Sequence, residues 1–164
     1  MQRNHAFTQL LRAASALLVA ACCGQALAQG VQVTDAWARA TVQGQKASGV
    51  FMTLQSPSAA TLVAVESPVA GVTEVHEMRM DGNVMQMRAL KGGLALPASQ
   101  AVALKPGGYH VMLMDLKTPL QKDTTIPLTL VLRDAKGVQT KTEVKVPVLL
   151  AAPNAAAGMG GMHH

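Results

Sequence analysis

The strongest constraint on the fold of this chain is a repeated pattern of short runs, alternating apolar and polar or rich in β-branched residues, from Gln29 to about Val148. Gly, Pro, Asp and Ser interrupt it at intervals of roughly eight to twelve residues, the spacing of strands and turns. A period of two sends successive side chains to opposite faces of a strand, and no stretch of roughly ten residues carries a helical stripe free of breakers. Strands are expected near Val31–Ala36, Gly49–Leu54, Thr61–Ser67, Val72–Met80, Val84–Leu90, Gln100–Leu104, Tyr109–Leu116, Thr125–Arg133 and Gln139–Val146. Joined by turns such as Asp81-Gly82, Lys91-Gly92-Gly93 and Lys105-Pro106-Gly107-Gly108, they predict an all-β domain, a Greek-key sandwich or small barrel. Aromatics make up only 2% of the chain, so its core has to come from Val, Leu, Ala and Met, with Trp37, Phe51 and Tyr109 as isolated large pieces.

The first 28 residues have the layout of an export signal: Arg3 and Arg12, the apolar run Ala13 to Ala21, then a small-x-small site at Ala26-Leu27-Ala28. Cleavage there makes Gln29 the new N-terminus and places the protein in the bacterial periplasm. Val19-Ala20-Ala21-Cys22 also matches the short box before a lipid-modified cysteine, so anchoring at Cys22 is the alternative. The apolar run falls short of the ~20 residues of a spanning helix, and no membrane-spanning segment is expected. Cys22 and Cys23 are the only cysteines, so cleavage after Ala28 leaves neither a disulfide nor a thiolate. A net charge of +5 loses Arg3 and Arg12, leaving +3 on a chain whose basic residues are interspersed with acidic ones. Nothing in that distribution resembles a nucleic-acid footprint. One domain, residues 29–150, is expected, followed by a tail, 151–164, of Ala, Gly, Pro, Met and His.

Six of the ten methionines fall between Met78 and Met114, with His76 and His110 in or beside that window. With Asp81-Gly82 as a two-residue hairpin loop, Met80 pairs with Asn83, Met78 with Met85, and His76 with Met87. Directly opposed residues bring their Cβ atoms to ~4.5 to 5.5 Å, within reach of one ion. In His110-Val111-Met112 the period of two puts His110 and Met112 on a common face. Two imidazoles and two thioethers, His76, Met87, His110 and Met112, form a soft set suited to copper(I) rather than to zinc, calcium or magnesium. Met78, Met80, Met85 and Met114 share that face and are read first as core fillers, with substitute ligands as the alternative; Met52 is read as core. In the tail, Met159, Met162, His163 and His164 make a second candidate site, whose adjacent histidines favour copper(II).

Competing functions lack the residues they need. The mature domain has no nucleophile elbow and no cysteine, and His76-Glu77-Met78-Arg79-Met80 lacks the second histidine of a zinc protease, so an enzyme is not expected. A blue-copper electron carrier needs a cysteine sulfur. A copper buffer or resistance protein, and a metal-free sandwich that mediates interactions, remain as alternatives to a carrier.

The segments His76-Glu77-Met78, Asp81-Gly82, Val84-Met85-Gln86-Met87 and Lys105-Pro106-Gly107-Gly108-Tyr109-His110-Val111-Met112-Leu113-Met114, with Asp35-Ala36-Trp37-Ala38-Arg39-Ala40, closely resemble the periplasmic PCu(A)C copper chaperones. The family signature is a His, ten residues, a Met, about twenty-one residues and His-x-Met; here the two spacings are ten and twenty-two. The difference falls in the connection through Gly92-Gly93 and Pro97, where an insertion leaves ligands undisturbed. The resemblance implies a cupredoxin-like fold and delivery of copper to the copper-centre subunit of cytochrome c oxidase or a related terminal oxidase. It also implies cooperation with Sco-type thiol proteins, and a Met-His tail that takes copper(II).

Overall fold

The computed structural model describes residues 30–153. The expected export signal, Cys22 and the expected tail donors Met159, Met162, His163 and His164 lie outside the described residues. Ten strands follow one another in chain order: β1 (Gln32–Arg39), β2 (Ala47–Gln55), β3 (Ala60–Glu66), β4 (Ala70–Asp81), β5 (Val84–Ala89), β6 (Leu94–Leu96), β7 (Ala101–Leu104), β8 (His110–Leu116), β9 (Thr125–Asp134) and β10 (Gln139–Leu149). All nine expected strands are present; β6 is the addition, three residues whose Leu94 and Leu96 are buried. So short a run carries too little alternation to be read as a strand, and it is held by pairing with β3.

The strands hydrogen-bond in the order β5-β4-β8-β2-β1-β10-β9-β3-β6, with β7 paired to β2. The order divides into a β5-β4-β8-β2-β1 half and a β10-β9-β3-β6 half, joined by a short parallel contact of Ala38 and Arg39 with Val148 and Leu149. Both halves supply one core: Val50, Met52, Leu54, Val75, Val111 and Leu113 from the first meet Leu62, Leu128, Leu130, Val146 and Leu94 from the second. Strict alternation along β2 and β8 therefore leaves the odd residues of β2 and the even residues of β8 on the outer face.

The β4–β5 hairpin differs in register from the sequence expectation. Asp81 pairs with Val84, Met80 with Met85, Met78 with Met87 and His76 with Ala89, so the loop is Gly82-Asn83 rather than Asp81-Gly82. Gly82 has φ +60 while Asn83 is absent from the residues of positive φ, which is the pattern of a type II′ turn with Gly in its first central position. An Asp81-Gly82 loop of type I′ would have required positive φ at Asp81 as well. The change moves the register by two residues. Every side chain keeps its face, and every one changes its partner.

Core volume governs stability here, because aromatic residues contribute little to it. Leu54 is fully buried, and Leu54→Ala is expected to lower the unfolding free energy by about 2 to 5 kcal/mol. Urea denaturation followed by circular dichroism measures the effect.

Candidate metal centre

A row of rings crosses four adjacent strands on the outer face. Trp37 of β1 pairs with Phe51 of β2, and His110 of β8 pairs directly with His76 of β4. Ring centroids are 4.7 Å apart for Trp37 and Phe51, 6.3 Å for Phe51 and His110, and 6.0 Å for His110 and His76. All four side chains are buried although they face away from the main core. Gly49 lets this row lie close to the sheet: a Cβ there would stand 2.9 Å from Cζ of Phe51. Arg39 extends over the same rings, its guanidinium carbon 6.0 Å from the Trp37 centroid and 5.8 Å from that of Phe51, at cation–π distance.

Beside the row lies an open cleft of about 240 Å³, lined by Met78, Met87, His110 and Met112 with Arg39, Phe51, Gly49, Pro106 and Gly107. The Lys105–Gly108 turn reaches it through a hydrogen bond from the Met78 N–H to the Gly108 carbonyl. His110 Nδ1 lies 3.0 Å from that same Gly108 oxygen. A carbonyl only accepts, so Nδ1 carries the hydrogen, and in the neutral ring Nε2 presents a lone pair. That Nε2 lies 3.2 Å from Met87 Sδ, which brings an imidazole nitrogen and a thioether to one point at the cleft.

His76 is oriented from its other side. Its Nε2 lies 2.9 Å from Glu74 Oε2, and a carboxylate oxygen accepts, so Nε2 is the donor and Nδ1 carries the lone pair. Nδ1 is buried and has no hydrogen-bond partner, the only such side-chain nitrogen or oxygen among the described residues. Leaving a buried polar atom unpaired costs about 1 to 3 kcal/mol, and a soft metal ion is one group that relieves it. Glu74 pairs across the ladder with Met112 and so stands within the site's own rows; nothing in its sequence spacing distinguishes it from a surface carboxylate.

The four expected donors thus occupy one face of three neighbouring strands. His110 and Met87 are in direct contact, Met112 lines the cleft with them, and His76 is buried beside His110. The expected direct pairing of His76 with Met87 does not occur: Met78 is opposite Met87, and it lines the cleft. Core filling is the right reading for Met52, 2% exposed, and the wrong one for Met80 and Met85, at 55% and 51%. Among the described residues no three His, Cys, Asp or Glu side chains come together. No helix of the described residues is long and apolar enough to cross a membrane.

A family model described as "Putative lipoprotein LpqE-like" matches residues 31–148. The chain is 34% identical over 121 residues to "Putative lipoprotein Lxx21020" of Leifsonia xyli subsp. xyli, covering 74% of this chain and 70% of that one. Among solved structures, the copper-bound PCuAC domain from PmoF2 superposes with a TM-score of 0.57 at 20% identity, covering 74% of this chain and 93% of that domain. The copper(I) form of DR1885 from Deinococcus radiodurans gives a TM-score of 0.53 at 28% identity, covering 74% and 81% of the two chains. The fold is the cupredoxin-like all-β fold of PCuAC domains, and with its family match spanning nearly the whole described domain, the chain belongs to the LpqE-like family.

Proposed function

We propose that this protein is an exported copper(I) carrier that holds one ion on His76, Met87, His110 and Met112 and delivers it to the copper-centre subunit of a respiratory oxidase, directly or through a Sco-type thiol protein. The observation that carries the reading is the convergence of His110 Nε2 on Met87 Sδ at 3.2 Å, with His110 Nδ1 already committed to the Gly108 carbonyl. Similarity to copper-bound PCuAC structures supports copper as the ion.

The donor chemistry supports the oxidation state. Thioethers are soft, neutral and never protonated at physiological pH, and they pair with copper(I) in preference to copper(II). Arg39 lines the same cleft and keeps its positive charge at any such pH. Its repulsion of a divalent ion is twice that of a monovalent one. The half-open cleft suits a carrier, since a partner's ligands have to reach the ion for exchange to occur. Copper is the cargo in this reading, and no catalytic role is assigned to the chain.

Export follows from the signal-like first 28 residues and agrees with relatives described as lipoproteins. Cleavage before Gln29 yields a free periplasmic protein, and processing at Cys22 an anchored one; the intact mass of the mature chain separates the two. The tail donors Met159, Met162, His163 and His164 are proposed to take copper(II).

Three measurements test the proposal. Copper(I) titration against a competing chelator is expected to show one tight equivalent in the domain. Met87→Ala or His110→Ala should remove most of that affinity, whereas Met52→Ala, on the opposite face, should weaken folding but preserve binding. Equal losses in all three would assign the effect to folding instead.

Glu74→Ala should lower copper(I) affinity by about 10- to 100-fold, the usual consequence of removing a carboxylate that orients a ligating histidine. Unchanged affinity would remove Glu74 from the site. Finally, the loaded protein mixed with an apo oxidase copper-centre subunit should lose its copper to that subunit. Retention of the metal at equilibrium would favour storage over delivery.

A further inference from the structure

The β4–β5 hairpin extends beyond the cleft, and its two faces are chemically segregated. One face carries Glu77, Arg79, Asp81, Gln86 and Arg88, with Val84 opposite Asp81 its one apolar member and Arg88 Nε 3.1 Å from Glu77 Oε1. The other carries Met78 opposite Met87 and Met80 opposite Met85. Every residue of β5 is exposed, and β5 is the terminal strand of the sheet, so among the described residues no other element covers the outer pair.

The ladder phase brings these sulfurs close. The Leu90 N–H donates to the Val75 carbonyl at 2.8 Å, which makes Val75 and Leu90 a hydrogen-bonded pair. Alternation from that point makes Met78·Met87 and Met80·Met85 the non-hydrogen-bonded pairs, whose side chains approach most closely. Successive residues on one strand face are about 7 Å apart, so the two thioether pairs form adjacent rungs of one ladder. The inner rung lines the cleft.

Half-exposed methionine pairs need a reason. An exposed strand edge ordinarily carries charged or β-branched polar side chains, which suppress edge-to-edge association. Four flexible apolar side chains on one edge hairpin do the reverse, unless the sulfurs themselves are used. Thioethers alone favour copper(I) among biological metals and exchange it readily, having no charge to release.

We infer that Met80 and Met85 form a second, weaker copper(I) site at the outer end of the hairpin, from which the ion passes to the Met78–Met87 rung and into the cleft. This inference rests on the reading of the cleft as a copper(I) site. The ion keeps its charge throughout: each transfer forms one sulfur–copper bond as another is released, with no electron or proton exchanged.

Methionine methyl resonances of the full chain, labelled with ¹³C at the methyl carbon and titrated anaerobically with copper(I), test it residue by residue. The first equivalent should shift Met87 and Met112, and the second should shift Met80 and Met85. The Met80→Leu/Met85→Leu variant keeps apolar volume but removes both sulfurs, and it should lose the second response at the hairpin while retaining the first. Met80 and Met85 methyls that stay in place through two equivalents, or a second equivalent taken up only at Met159 and Met162, would overturn the inference. So would a variant that binds both equivalents as the wild type does; the methionine face would then be an apolar surface indifferent to sulfur. An absent first response at Met87 and Met112 would instead refute the cleft assignment, which keeps the two failures distinguishable.

Discussion

The antiparallel pairing of β4 with β8 is the interaction on which the site depends. It sets His76 opposite His110 and Glu74 opposite Met112, so that one ladder supplies both imidazoles, one thioether and the carboxylate that orients His76. β5 then adds Met87 from one side of β4, and β2 adds Gly49 and Phe51 from the far side of β8. A slip of one residue in the central pairing would turn one strand over relative to the other, parting His76 from His110 and sending either Val75 or Val111 to solvent. Burial of those two valines in the main core therefore maintains the register that keeps the histidines together. The apolar packing and the donor geometry are enforced by the same backbone hydrogen bonds.

The fold, and the sharing of one face by the candidate donors, were legible in the sequence because both follow from a period of two. Alternation located nine strands and placed His110 and Met112, and likewise His76 and Met78, on common faces. What alternation does not contain is register. Asp81-Gly82 and Gly82-Asn83 are both acceptable hairpin loops, and the choice between them rests on whether Asp81 or Gly82 adopts positive φ first. The answer moved Met87 from His76 to Met78 without changing any face, so the donor set stayed the same while its direct contacts changed. Burial of Met80 and Met85 was misjudged for a related reason: methionine is common in cores, and sequence spacing cannot tell a face that is covered by another sheet from a face at the sheet's free edge. Alternation also puts Glu74 on the face of His76 and Arg39 on that of Trp37, but nothing in the sequence marks a single charged residue as a partner of those rings.

Hydrogen bonding at one nitrogen of each ring leaves the other as the candidate donor atom in the proposed site. Gly108 claims Nδ1 of His110 and Glu74 claims Nε2 of His76, leaving one lone pair on each imidazole in its neutral form. The two rings are fixed by opposite nitrogens, and the partners differ in kind: a backbone carbonyl in a turn, and a carboxylate that is half exposed. The carbonyl can move only with the Lys105–Gly108 turn, whereas the Glu74 side chain can rotate toward water. His110 is accordingly the more firmly oriented of the two, and it is the ring that touches Met87.

Segregation of core and site to opposite faces of the same strands has an energetic consequence. Val50 and Val111 on one face stabilise the domain by burial, while Gly49 and Met112, their immediate neighbours in sequence, line the cleft on the other face. Most small domains that hold a metal couple it to folding, because the ligands come together only in the native state and binding energy becomes folding energy. Here the core is continuous without contribution from the donors, and Met87 is 49% exposed. A core of this kind gives the proposed carrier a folded state whose packing does not run through the candidate donors. The proposed carrier role requires stability both before copper is received and after it is given away, and a β-sandwich whose outer face holds the candidate donors meets that requirement through the alternation of its strands.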